Sequence, residues 1–514
     1  MASSALCTGK SARLNKYKLG CLSLMIALST GCFQQASAEL PQGFDDFVNK
    51  VLKEYNTPGA AVAVVEGDKV YVRGYGVRSV DKPGAVDPDT LFMLASNTKP
   101  FTAALLAIMV DQHKIGWNDH VIDYMPQFVL HDRYATRMCT AKDLLAHRTG
   151  LPEFFGDGLE GVGYDRNEVM RRLKYIEPAC SFRETANYSN PGFFAAGMLA
   201  GVLAGDSWDN LIKKKLFEPL SMTRSGVTVK DHDRDSNVAD AHESLPQGGS
   251  KVVPWDTSDV FGPAGSINST AKDMTRWMQL QLNEGSIDGH QIISPESMRE
   301  MHTTAMVDKP GFGDMAPIDE KTTGLCYGLG WGIYHYKGHE IFEKTGARTG
   351  MRSSVVLIPD KKIGITVLAN QNLTVVPEAI RAYLIDKMVA PASTDWQAEI
   401  NKKNTVIQKM FNNPAPPPKP TTSPTLPLEG YAGEYQNDLF GQVKISVDSG
   451  KLRWQAGPKK VSGPITHVQY DTFQLAWPPG PITLPEEVTF TLGTDGHPSQ
   501  LQTVSFGLLK RVSQ

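Results

Sequence analysis

A chain of 514 residues with 41% hydrophobic and 21% charged positions can bury a large core, and its length calls for two or more domains. The 52 Lys and Arg residues against 55 Asp and Glu leave a formal charge of −3, without the basic surplus of a dedicated nucleic-acid binder. The same composition excludes fibrous and disordered classes, and a single short apolar stretch near the N-terminus excludes integral membrane transport.

The first residues read as an address. Lys10, Arg13, Lys16 and Lys18 precede the apolar run Leu19 to Leu28, and Ala36-Ser37-Ala38 follows. A basic segment, a short apolar run and an A-x-A site predict an export signal over residues 1–38, cleaved before Glu39. The run is far shorter than the roughly 20 residues of a spanning helix, so no transmembrane segment is expected in the mature chain. Ser29-Thr30-Gly31-Cys32 supplies an alternative, a lipoprotein anchored at Cys32, although Ser29 stands where an aliphatic residue is usual. The expected location is periplasmic or secreted. Cys139, Cys180 and Cys326 stay in the mature chain; they can close at most one disulfide and are expected as buried fillers.

Phe44, Phe47, Val48, Val51, Leu52 and Tyr55 recur at helical spacing and predict an amphipathic opening helix. Ala60 to Val65 and Lys69 to Tyr75 flank Glu66-Gly67-Asp68 and predict a hairpin. A helix-rich stretch runs from about Thr98 to Leu282. Arg352 to Ile358 and Lys362 to Leu368 then predict a second hairpin around Pro359-Asp360, with a helix at Val376 to Met388. Strands at both ends with helices between them predict one antiparallel sheet with a helical insert over residues 39–411. Pro414, Pro416, Pro417, Pro418, Pro420, Pro424 and Pro427 cannot continue a helix or a central strand, which predicts a semi-rigid linker at 412–427. Beyond it, Gln442 to Val447 and Lys451 to Trp454 alternate polar and apolar residues around Asp448-Ser449-Gly450. Residues 428–514 are therefore expected to form a small antiparallel β-barrel or sandwich.

Three short motifs carry the chemistry. Ser96-Asn97-Thr98-Lys99 opens a strong helical run, and a spacing of three places Lys99 beside Ser96. A serine hydroxyl needs such a base nearby, and a helix N-terminus favours a developing oxyanion. Ser79/Lys82 and Ser269/Lys272 repeat the spacing, so the motif alone also fits a capping serine with a solvated lysine. Tyr188-Ser189-Asn190 precedes Pro191-Gly192 and an apolar helix; a tyrosine flanked by ammonium groups becomes a credible base, whereas a core tyrosine with a capping Asn190 is the plainer reading. Lys344-Thr345-Gly346 stands before the second hairpin, where Lys344 and Thr345 suit a substrate carboxylate and Gly346 permits close backbone approach; a surface turn is the alternative.

The three motifs in this order resemble the penicillin-recognising serine hydrolases, the family of class C β-lactamases, D-Ala-D-Ala carboxypeptidases, D-aminopeptidases and related esterases. Leu144-Leu145-Ala146-His147-Arg148-Thr149-Gly150-Leu151-Pro152, Gly262-Pro263-Ala264-Gly265-Ser266 and Tyr327-Gly328-Leu329-Gly330-Trp331 support the resemblance, which covers about residues 42–390. Tyr431-Ala432-Gly433-Glu434-Tyr435 begins a tail similar to the lipocalin-like domain that some members append.

The resemblance implies an α/β (α+β) β-lactamase-like fold, an antiparallel sheet flanked by terminal helices with a helical insert, followed by a small C-terminal barrel. It implies Ser96 as the acylated nucleophile, Lys99 and Tyr188 sharing the general-base role, and Asn190 positioning Lys99 and the substrate amide. Lys344, Thr345 and Gly346 would hold the substrate, with the backbone N–H groups of Ser96 and Ala347 as oxyanion hole. No metal or cofactor is implied, and His147, His335 and His339 are expected to be structural. The third motif begins with Lys rather than the His of many relatives, which favours carboxylate-bearing ligands. The appended domain distinguishes the chain from a dedicated β-lactamase. The preferred expectation is hydrolysis of a short peptide or amide, D-residue peptides such as muropeptides or linearised cyclic peptides included. A class C-like β-lactamase, a carboxylesterase and a penicillin-binding protein without turnover are the alternatives, and a homo-oligomer through the C-terminal domain is a further expectation.

Overall fold

The computed structural model describes residues 38–233, 235–245, 247–256, 259–307, 322–389, 396–407, 420, 422–477 and 486–512. The predicted export signal, apart from Ala38, and most of the predicted linker lie outside the described residues. No described helix is long and apolar enough to cross a membrane.

Helix α1, Phe44–Glu54, buries Phe44, Val48, Val51 and Leu52, the single apolar stripe that its spacing predicts. It leads into the hairpin β1, Gly59–Glu66, and β2, Lys69–Gly76, which turns through Gly67 at φ 58°. The helical middle contains α2, Thr98–Asp111, α3, Asn190–Ala204, and α4, Ala271–Leu282. Helix α2 is buried from Thr98 through Met109 and runs through the core rather than over it. The remaining strands of the main sheet are β3, Met306–Val307, β4, Thr322–Tyr327, β5, Gly332–Tyr336, β6, His339–Arg348, β7, Met351–Ile358, and β8, Ile363–Ala369. Helices α5, Val376–Met388, and α6, Trp396–Ile407, follow.

The eight strands are ordered β2-β1-β8-β7-β6-β5-β4-β3, all antiparallel. The pairing Ala60↔Ala369 joins the first strand to the last, so the two ends of the domain meet in one antiparallel sheet as expected. Every residue of β7 and β8 is buried. One face, carrying Val62, Val64, Val356 and Val367, packs with Val48, Ile380 and Leu384 of α1 and α5. The other, carrying Ala61, Ala63, Val355 and Leu357, packs with residues of α2 and α4. Burial on both faces removes the polar–apolar alternation of a half-exposed strand.

This explains one departure from the sequence reading. Lys344-Thr345-Gly346 lies inside β6 rather than in front of the strands. The cysteines depart in part: all three are free and Cys139 is buried, but Cys180 and Cys326 are only half-buried.

The C-terminal unit is a closed barrel, not a sandwich. Strands β9, Gly433–Asn437, β10, Gly441–Asp448, β11, Lys451–Ala456, β12, Val461–Gln469, β13, Thr472–Leu475, β14, Glu486–Leu492, β15, Pro498–Thr503, and β16, Gly507–Arg511, pair in sequence, and Tyr435↔Arg511 closes the ring. Tyr435, Trp454, Phe473, Phe490 and Phe506 are buried and fill its core. The barrel docks on the segment between Phe155 and Arg172. Arg172 donates to the carbonyls of Asp438 and Leu439 at 2.8 and 2.7 Å, and Tyr164 Oη to that of Phe440 at 2.9 Å.

Candidate active site

Ser96 occupies a short 3₁₀ turn, Ala95–Asn97, that runs directly into α2. From Leu91 to Pro100 it is the one residue that is not buried. The turn is tied down on both sides. Leu94 N–H donates to the carbonyl of Ile267 at 2.8 Å, and Asn97 Nδ2 donates to Ser353 Oγ on β7 at 2.7 Å. Ala95 sits at φ 50°, a left-handed conformation uncommon for a residue with a Cβ. Gly346 lies directly behind: a Cβ there would come within 2.1 Å of the Leu94 carbonyl oxygen and 2.4 Å of Ser353 Oγ. The glycine of the third motif therefore seats β6 against the serine turn, a packing requirement in addition to the substrate approach that the sequence suggests.

Lys99 is fully buried, and its Nζ donates to Ala264 O at 3.0 Å, Asn190 Oδ1 at 2.7 Å and Ser96 Oγ at 3.1 Å. Ala264 belongs to the short turn Gly262–Gly265, whose consecutive carbonyls also accept from Thr102 Oγ1, at Pro263, and from Arg348, at Gly265. Two of these Lys99 acceptors, Ala264 O and Asn190 Oδ1, cannot donate in return. When the ammonium loses a proton, the resulting lone pair is thus directed at Ser96 Oγ.

Tyr188 Oη donates to Ser96 Oγ at 2.6 Å. Two buried cations lie over its ring, with Lys99 Nζ at 4.5 Å and Lys344 Nζ at 4.9 Å from the centroid. The segment Tyr188-Ser189 is extended and feeds α3, in which Asn190 and Pro191 form the first turn. Ser189, not Asn190, is the capping residue, since its Oγ accepts from Gly192 N–H at 3.2 Å. Asn190 is thereby released from capping and spans Lys99 and Asp157, with Nδ2 donating to Asp157 Oδ2 at 2.7 Å.

Strand β6 brings the third motif alongside. Its ladder with β5 ends at Gly332↔Glu343, while that with β7 continues to Arg348↔Met351. Lys344, buried, lies 5.4 Å from the Tyr327 ring as well as over Tyr188. Thr345 is buried opposite Ser354, and Ala347 is exposed at the margin.

His147 is closer to the chemistry than its sequence suggests. Its Nδ1 accepts from Ser189 N–H at 3.0 Å, which puts the proton on Nε2, 3.2 Å from Tyr327 Oη. Burial, together with the charges of Lys344 and Lys99, holds its pKa well below the usual histidine range, so it stays neutral beside two cations. His335 is exposed and His339 pairs with Asp360 at 2.6 Å.

Residues 44–390 match the β-lactamase family. The chain belongs to that family. Residues 417–510 match a separate domain family of unknown function, DUF3471. An unguisins hydrolase of Aspergillus campestris is 29% identical over 492 residues, covering 90% of this chain and 89% of that protein. Protein flp of Staphylococcus aureus is 26% identical over 351 residues, 66% of this chain and 65% of that protein. Among solved structures, an octameric penicillin-binding protein homologue from Pyrococcus abyssi aligns with a TM-score of 0.59 at 20% identity, over 91% of this chain and 99% of that one. A class C β-lactamase aligns with a TM-score of 0.55 at 22% identity, over 68% of this chain and 97% of that one. The two solved structures share the fold of this β-lactamase family chain.

The fold thus gathers all three motifs around Ser96; Tyr327, from one of the supporting segments, joins them, as do Asp157 and Arg348, which no quoted motif contains. Asp157 lies 31 positions before Tyr188 in a Phe-Phe-Gly-Asp-Gly run that carries no spacing signal.

Proposed function

We propose that this chain is an exported serine hydrolase that acylates Ser96 and acts on short peptides or amides, D-residue peptides included. The observation that carries the reading is the convergence of Lys99 Nζ and Tyr188 Oη on Ser96 Oγ, at 3.1 and 2.6 Å. Ser96 Oγ attacks the substrate carbonyl carbon, and its proton passes to the Lys99/Tyr188 pair, which titrates as a unit. The N–H groups of Ser96 and Ala347 receive the oxyanion. The pair returns the proton to the leaving amine as the C–N bond breaks. Water then attacks the Ser96 ester, giving the carboxylic acid and restoring the hydroxyl. Lys344 attracts a substrate carboxylate. The similarity to a protein named for hydrolysis of unguisins supports hydrolysis over simple binding.

The test is intact mass of the mature protein over time with a β-lactam, a D-residue peptide and a p-nitrophenyl ester, with products followed in parallel. A transient adduct on Ser96 with efficient peptide release is the expected result, and Ser96→Ala should lose labelling and turnover by roughly 10³-fold or more while keeping its melting temperature. A stable adduct with every probe would make the chain a covalent binder. Efficient turnover of the β-lactam or the ester alone would transfer the assignment to β-lactamase or esterase.

A further inference from the structure

Asp157 belongs to no motif, yet it determines which way Asn190 faces. A lysine ammonium only donates, so the Asn190 atom at 2.7 Å from Lys99 Nζ is Oδ1, and Nδ2 must be served elsewhere. Asp157 Oδ2 serves it at 2.7 Å, and a carboxylate, an obligate acceptor when ionised, cannot serve the flipped amide. The other oxygen, Oδ1, is buried with no hydrogen-bond partner among the described residues. An unsatisfied buried carboxylate oxygen is costly and calls for a reason.

The segment carrying Asp157 is braced from outside by the barrel. The Phe155 ring meets that of Phe440 edge-on at 6.4 Å, and a Cβ on Gly158 would sit 3.3 Å from the Phe440 ring. Lys459 N–H donates to the Val162 carbonyl at 3.1 Å.

We propose that Asp157 is a positioning residue for Ser96 acylation: it locks the Asn190 amide with Oδ1 toward Lys99, and so keeps the Lys99 lone pair on Ser96 Oγ. The inference rests on the acyl-enzyme reading above. The charged groups acting on Asp157 are Lys99, Glu160 and Arg348. Burial, opposed by the Asn190 hydrogen bond and Lys99, pushes its carboxyl up to about 7. Its charge therefore changes in the range where hydrolysis is measured.

The experiment uses full-length protein, p-nitrophenyl acetate and the pre-steady-state burst, with Ser96 acylation confirmed by intact mass from about pH 5 to about pH 9. Asp157→Asn is nearly isosteric but can present either end of its amide to Asn190 and carries no charge. It should lower the acylation rate constant roughly tenfold or more and move the acid limb of the profile to lower pH, because Lys99 releases its proton more readily without the carboxylate. Asp157→Glu, which keeps the charge, should leave the limb in place and recover part of the rate. An unchanged rate and limb in Asp157→Asn would overturn the proposal, as would equal losses in both variants with no shift of the limb. Wild-type protein that forms no adduct would overturn the acyl-enzyme reading itself, and the proposal with it.

Discussion

Glu343 and Lys344 are neighbours on β6, both buried, and they face two differently organised collections of charge. Glu343 accepts from Tyr334 Oη at 2.7 Å and is ion-paired with Arg381 of α5. Beside it, Arg352 pairs with Glu378, which Lys403 of α6 approaches at 3.7 Å. Cations and anions alternate there at close range. On the other face, Lys344 and Lys99 lie over one phenol ring, and the Asn190 amide stands between Lys99 and the carboxylate of Asp157. Tightly paired charges hold one ionisation state and anchor helices to the sheet. Loosely compensated charges can exchange a proton at low cost, which acid–base chemistry requires.

The pKa directions express the same contrast. Burial alone would raise Glu378, but Arg352 and Lys403 outweigh it and hold the carboxyl below its ordinary range. At Asp157 burial wins and the value goes up to about 7. The largest stability effect is expected on the paired face. Arg381→Ala removes the cation paired with buried Glu343 and should cost about 3–5 kcal/mol, read as a lowered denaturation midpoint. A loss under about 1 kcal/mol would mean that solvent or a rearranged neighbour replaces Arg381 and that the pairing is not what fixes α5.

Lys344→Ala probes the other side of the same strand. Carboxylate-bearing substrates should lose roughly tenfold more kcat/KM than neutral esters, equivalent to about 1.4 kcal/mol of selective binding. Equal losses would move Lys344 from substrate recognition to support of Tyr188.

The legibility of this molecule divides along similar lines. The sheet hairpins, α1 and α5 were readable because each carries a local signal: Gly67 at a turn, or apolar residues at i, i+4 and i+7. Ser96, Lys99, Tyr188, Asn190 and Lys344 were readable as spaced residue types, and they do converge in space. Strand β6 was not readable around its motif, since Glu343 and Lys344 interrupt an apolar run although both are buried. Each is held by partners far away in sequence. Asp157 was missed for the same reason: its partner, Asn190, lies 33 positions away on another element.

Asp157 and Glu378 should also differ in how they respond to pH, and this sharpens the comparison most directly. Glu378 has a depressed folded-state pKa, so its stabilisation is present at neutral pH and fades as pH falls through the ordinary carboxylate range and below. Asp157 has a raised one. Between its unfolded value of 3.8 and its folded value of about 7, the folded protein binds more protons than the unfolded chain. Its contribution to stability therefore falls as pH rises through that window. Above it, Asp157→Asn should melt at a higher temperature than wild type, and the difference should shrink toward pH 4. A variant that is at once more stable and slower to acylate would mark Asp157 as a group retained for the chemistry of Ser96. A destabilised Asp157→Asn at every pH would instead make the carboxylate part of the scaffold, of one kind with Glu378.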